Sequence, residues 1–146
     1  MRVFEPLPPE TEALAKQTVD AAMKVHRALG PGPLESVYEK CLTHELNRRR
    51  ISVRTQVGVP VVYEGLRLES GLRLDMLVDN QLIVEIKAVE EMNRVFKAQV
   101  LTYLKLANLR LALLINFNVP LLRDGIQRVI LLIIFPRVLC VFVSLW

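Results

Sequence analysis

The sequence predicts an α/β protein, a three-layer α/β/α sandwich built on a mixed sheet. Three observations lead there. Segments with helical apolar spacing stand before and after a central group of β-prone runs. Just over half of the 146 residues are hydrophobic but few are aromatic, which suits a buried, mostly aliphatic sheet. Proline, glycine and Asn/Asp pairs fall between the segments, where turns are needed.

The elements follow in order. Residues 1–9, with three prolines, read as an extended lead-in. From Glu10 to Leu29 the small or apolar positions Leu14, Thr18, Ala21, Val25 and Ala28 recur at helical spacing. Gly30-Pro31-Gly32-Pro33 must end that helix, because Gly30 can take a left-handed C′ conformation and Pro31 cannot continue the coil. A second helix starts near Pro33 and runs to about Arg50, with Leu34, Tyr38, Cys41, Leu42 and Leu46 on one face. Short strands are expected at Val53–Val57 and Val59–Tyr63, then a Glu64-Gly65 hairpin turn into Leu66–Glu69. Leu72–Val78 and Leu82–Ala88 form a hairpin around Asp79 and Asn80. Asn93–Ala107 reads as a helix with Val95, Gln99, Tyr103 and Leu106 on one face. Leu111–Phe117 is a continuous apolar strand, and Asp124-Gly125 turns into another at Ile126–Phe135.

The chain therefore divides into the lead-in, one folded domain over residues 10–130 and an apolar C-terminal extension over 131–146. From Val129 on the chain is almost wholly apolar, broken by Pro136-Arg137, a pair costly inside a membrane helix, so no membrane span is expected. Two short strands, or a strand and an apolar extension, fit better. Such a tail is sticky unless it packs on the core or on a second copy, as a homodimer.

A net charge of +4 is compatible with polyanionic partners but too small to establish one. Cys41 and Cys140 lack metal-ligand spacing, and Cys41 falls on an apolar helix face. His26 and His44 match no zinc pattern and read as ordinary, partly exposed helix residues. The N-terminus shows no charged-then-apolar signal segment, so the expected compartment is the cytoplasm.

Chemistry concentrates in one hairpin. Asp75 lies in the first apolar run, and Glu85-Ile86-Lys87 lies ten positions on in the second. Glu85 and Lys87, two apart on a strand, project together. If Asp75 joins them, two carboxylates and an ammonium converge. Paired carboxylates repel unless a cation lies between them, and hard oxygen ligands suit Mg²⁺ or Mn²⁺. The structural alternative is an ion-paired group with Lys87 or Arg73 on a solvated sheet face.

Asp75…Glu85-x-Lys87 resembles the core of the PD-(D/E)XK nuclease superfamily, although Leu74 stands where that pattern has proline. Two further motifs strengthen the resemblance. Gly32-Pro33-Leu34-Glu35-Ser36-Val37-Tyr38 reads GxxExxY and resembles the small family named after that pattern. Gln99-Val100-Leu101-Thr102-Tyr103 reads QxxxY, similar to the helix after the ExK strand in exonuclease-like branches. The order also matches: acidic helix, Asp strand, ExK strand, Q-helix. The likeness spans roughly Thr11 to Val129 and implies a restriction-endonuclease-like sheet flanked by helices.

It also implies metal-dependent hydrolysis of phosphodiester bonds in nucleic acid, with DNA the expected partner and Mg²⁺ or Mn²⁺ the cofactor. The expected catalytic set is Glu35, Asp75, Glu85, Lys87, Gln99 and Tyr103. Asp75 and Glu85 would ligate the metal, with the Ile86 carbonyl as the third ligand that the resemblance implies. Glu35 would reach the metal directly or through water; its bland role is to complement the helix dipole. Lys87 would orient water or stabilise the phosphate in its transition state. Tyr38 either contacts substrate or packs in the core. Gln99 and Tyr103 share a helical face and either meet the site or sit on a partly exposed helix. Arg94 and Lys97, with Lys105, could meet phosphates or be solvated surface. Arg48-Arg49-Arg50 reads as cations at a helix C-terminus.

Other function classes stay open: a non-catalytic module that keeps the fold and binds nucleic acid or a protein, and a membrane-associated protein driven by its tail. Alternation makes one sharp geometric demand. A two-residue turn at Asp79-Asn80 would put Asp75 opposite Val84 and turn the two carboxylates to opposite faces. A shared site requires Asp75 opposite Glu85 and Val78 opposite Leu82, across a three-residue loop with a left-handed residue, or a bulge elsewhere.

Overall fold

This computed structural model describes residues 5–134 and 137–143. The start of the lead-in (residues 1–4), Pro136 of the break in the tail, and residues 144–146 lie outside the described residues. The elements are α1 (Pro9–Leu29), α2 (Glu35–Arg48), β1 (Val53–Tyr63), β2 (Leu66–Val78), β3 (Leu82–Lys87), α3 (Arg94–Ala107), β4 (Leu111–Asn116), a 3-10 turn (Leu122–Gly125), β5 (Ile126–Ile134) and β6 (Arg137–Val143). Among the described residues, six strands lie side by side in sequence order. Of these, β3 and β4 are the parallel pair, joined through α3 as a crossover connection requires. The rest pair antiparallel.

Helices α1 and α2 pack on one face of the sheet over Met76, Val78, Val84, Ile86, Leu113 and Ile115. Helix α3 covers the other face over Leu77, Ile83, Ala112, Leu114 and Val129. This is the expected α/β/α sandwich. It also explains the unbroken apolar reading of β4, whose residues are all buried because helices cover both its faces.

Several local expectations change. The two short strands expected over residues 53–63 are one strand, as are the two over 66–78. The Glu64-Gly65 turn joins them with both residues at positive φ, 44° and 85°. Helix α2 begins at Glu35, and Leu34 is exposed because it precedes the first turn instead of lying on the buried face. Ala28 is likewise exposed, in the last turn of α1. Helix α3 is rotated from its expected orientation. Val100, Leu101, Tyr103 and Leu104 are buried, whereas Val95, Gln99 and Leu106 are exposed. The Asn93 side chain caps its start by accepting from the Val95 N–H at 2.9 Å. The tail forms β5 and β6, and β5 runs unbroken across the expected boundary at residue 130. No helix among the described residues is long and apolar enough to cross a membrane.

His26 is not a partly exposed surface residue. It is buried, and its Nε2–H donates to the carbonyls of Phe117 (3.1 Å) and Val119 (2.9 Å), tying α1 to the loop after β4. That loop returns through Gly125, where a Cβ would lie 2.1 Å from the Asn116 carbonyl oxygen. The basic run also has a specific part: Arg49 bonds Asp20 at 2.7 Å and Glu45 at 3.4 Å, and so pins the end of α2 to α1.

Tyr38 packs in the core. Its side chain is fully buried, it stacks on Phe117 with centroids 4.3 Å apart, and its hydroxyl donates to the Gly30 carbonyl at 2.5 Å. Tyr38→Ala should therefore cost about 3–5 kcal/mol of stability, and Tyr38→Phe only about 1 kcal/mol for the lost hydrogen bond. Denaturant unfolding of the two variants checks this; equal losses would contradict a stacking role.

Candidate active site

The β2–β3 hairpin adopts the unusual register that a shared site demands. Val78 pairs with Leu82, Leu77 with Ile83 and Met76 with Val84. A three-residue loop closes it, with Asp79 and Asn80 both left-handed at φ 48° and 54°. One more step along the ladder places Asp75 opposite Glu85.

At that step side chains take over from the backbone. The Asp75 N–H donates to Glu85 Oε1 at 3.0 Å, and the Ile86 N–H donates to Asp75 Oδ2 at 2.9 Å. Each carboxyl thus bonds the backbone of the other strand. The side-chain alternation expected for β2 slips at this point. Leu74 and Leu77 both join the α3-side core, while Met76 and Val78 join the α1/α2 side. Leu74 therefore does not share a face with Met76 and Val78. On β3 the alternation holds, with Leu82, Val84 and Ile86 towards α1 and α2, and Ile83 towards α3.

Glu85 is only 3 % exposed. Its pKa is pushed up from 4.5 to about 8, first by burial and next by the charge of Asp75, which also hydrogen-bonds its side chain. Lys87 pulls weakly in the other direction. Glu85 thus keeps its proton near neutral pH, beside the Asp75 carboxyl.

Asp75 opens into a cleft of about 810 Å³, lined also by Glu35, Glu39, Gln56, Ile86 and Ala88. Glu35, in the first turn of α2, is exposed and accepts from the Ala88 N–H at 3.3 Å, so it meets the end of β3 across the cleft. Tyr103 approaches from α3. It is nearly buried, and its phenol is pushed up first by that burial and then by Glu85 and Asp75, with Gln99 beside its hydroxyl. Lys87 is half-buried, and its Nζ lies over the Phe96 ring, 4.4 Å from the centroid. Arg94 and Lys97 occupy the first turn of α3, Arg94 exposed and Lys97 half-buried.

Glu35, Asp75, Glu85, Ile86 and Tyr103 are therefore gathered at one end of the sheet, with Gln99 at the edge of the group. Lys87 is directed to α3, and Tyr38 belongs elsewhere. Four contributors were not singled out from sequence. Glu39 lies one helical turn after Glu35, which was its only signal. Gln56 is a polar residue inside a strand, and Phe96 an aromatic on a helix; neither stands out. Asn116 ends the apolar run of β4, and its buried amide bonds both backbone groups of Val89, holding the segment after β3.

A model of the PD-(D/E)XK nuclease superfamily matches residues 12–129. The chain belongs to that superfamily. No curated protein and no solved structure matches it. As a member, it has the α/β fold described above, and the match covers every residue of the candidate site. The superfamily implies a divalent cation. Among the described residues, no three acidic, histidine or cysteine side chains form a ready cation cage. The donor chemistry nevertheless fits. Asp75 and Glu85 supply hard oxygens side by side, and burial and the Asp75 charge hold a proton on Glu85 that a cation could replace.

This arrangement sets a pH dependence. A carboxyl whose folded pKa lies above its unfolded value of 4.5 stabilises the fold fully only below that value. The contribution is lost as pH rises through about 8. Metal-free protein should therefore lose thermal stability from about pH 4.5 to about pH 8. Glu85→Gln keeps the acceptor for the Asp75 N–H and adds a donor towards Asp75. It should flatten that fall, melting roughly 5 °C higher than the parent at the alkaline end. Parallel melting curves of parent and variant across this range would exclude a proton held on Glu85.

Proposed function

We propose that this chain is a Mg²⁺- or Mn²⁺-dependent phosphodiesterase that cleaves nucleic acid, with DNA as its substrate. The observation that carries the reading is the reciprocal latch of Asp75 and Glu85, with Glu35 facing them across the cleft. Within the superfamily we place it in the small GxxExxY group, on Gly32 to Tyr38.

Asp75 and Glu85, with the Ile86 carbonyl, would hold the cation, and Glu35 would reach it directly or through water. When bound, the cation supplies charge neutralisation for the phosphate and polarises water for attack. The remaining roles fall to side chains. The acidic cleft repels a phosphodiester until its charge is balanced, which makes binding metal-dependent. Lys87 would leave the Phe96 ring to orient the attacking water or meet charge developing on phosphate oxygens. Tyr103 and Gln99 would bond the Glu85 side of the site or a substrate phosphate. Arg94 and Lys97 would receive the flanking backbone.

One observation favours a second reading, a non-catalytic module that uses the cleft for binding: Lys87 rests on Phe96 instead of facing the cleft. A cleavage assay separates the two. Labelled single-stranded DNA, duplex DNA and RNA are incubated with the protein in Mg²⁺, in Mn²⁺ or in a chelator. The proposal expects metal-dependent cleavage of DNA. Nucleic acid bound but intact with either metal favours the second reading.

A further inference from the structure

Gln56 stands in the middle of β1 with φ 53°, a left-handed conformation that a non-glycine residue rarely takes inside a strand. Thr55 pairs with Met76 and Val57 with Leu74, but Gln56 and Asp75 between them are left out of the ladder. The register on either side of the gap is the same, so this is a local rotation of the chain and not an inserted residue. The rotation has two consequences. Asp75, released from β1, is free to turn its N–H to Glu85 Oε1. The Gln56 side chain reaches α2, where Nε2 donates to Glu39 Oε2 at 2.8 Å. Glu39 lies one helical turn beyond Glu35, and all four residues line the same cleft.

We infer that Gln56 is a positioning residue: its left-handed backbone frees Asp75 for the acidic pair, and its amide, through Glu39, fixes the first turns of α2 so that Glu35 faces that pair. A glycine would adopt this backbone at lower cost, so the side chain has a use that offsets its strain. Glu39 takes its place in the cleft as the anchor of this tether. The inference deepens the proposed function, since the separation it sets is that of the expected cation ligands.

The backbone and side-chain parts separate by substitution. Gln56→Gly keeps or eases the backbone and deletes the tether. Glu39→Gln keeps an acceptor oxygen for the Gln56 amide, whereas Glu39→Ala does not. The full chain of each is compared by melting temperature, hydrogen–deuterium exchange of the first turns of α2, and Mn²⁺ titration. Gln56→Gly and Glu39→Ala should speed exchange at residues 35–39 and weaken Mn²⁺ binding, each by about three- to tenfold. Gln56→Gly should do so with its melting temperature unchanged or raised. Glu39→Gln should resemble the parent in exchange, and the double variant should be no worse than either single one. Parental exchange in Gln56→Gly, or additive effects in the double variant, would overturn the inference. A parent that fails to bind Mn²⁺ would instead overturn the proposed function, and the exchange arm would still decide the tether.

Discussion

Asp75→Asn should reduce cleavage by at least about a thousandfold, a loss comparable to removing a principal electrostatic contributor to catalysis. The substitution barely changes shape. Its carbonyl oxygen can still accept from the Ile86 N–H, which Asp75 holds at 2.9 Å, so the hairpin should keep its register. What goes is one of the two negative charges, and with it most of the attraction for a divalent cation. Folding should be preserved. Cleavage is measured at saturating Mn²⁺ on a substrate the parent cuts. Retention of parental rates would remove Asp75 from the chemistry.

Lys87→Ala is the second large effect, and its pattern differs. Lys87 is assigned to water or transition-state charge and not to coordination. Its loss should lower kcat by about a hundred- to ten-thousandfold while Mn²⁺ affinity changes little. The structure adds a qualification of mechanism, because Lys87 Nζ rests over Phe96. A cation–π contact between half-buried groups is worth only about 0.5–2 kcal/mol, so an arriving phosphate can displace it. Phe96→Leu should accordingly leave cleavage within a few fold of the parent. Full activity in Lys87→Ala would show that the contact with Phe96 is the whole of what Lys87 does.

The parts of the fold legible in the sequence were those with a strong local period or a sharp punctuation. The α1 pattern, the glycine–proline stop after it, the Glu64-Gly65 turn and the continuous apolar β4 all read directly. The register of the Asp75 hairpin was legible by a different route. Chemistry required both carboxylates in one place, and only a three-residue loop allowed that; the left-handed Asp79 and Asn80 form it. The misreadings have physical causes. On α3, three apolar positions shared a face with Gln99, but Val100, Leu101 and Leu104 form a tighter stripe, and the sheet selects that one. Leu34 looked like the start of an apolar face because composition does not reveal that the first turn begins one residue later. Tyr38 could not be assigned without its partner Phe117, which is far away in sequence. Gln56 carries no local signal, since its left-handed turn shows only as a gap in the β1–β2 ladder, between Thr55 and Val57. Glutamine carries no preference for the left-handed region that would have announced it.

If Asp75 and Glu85 form one cation site, calorimetric titration of the purified protein with Mn²⁺ should show it beside Glu85→Ala. The parent should bind saturably, more tightly as pH rises through about 8 because the Glu85 proton must leave, and the variant should not bind. Equal Mn²⁺ binding by both proteins, or no binding by the parent, would contradict it.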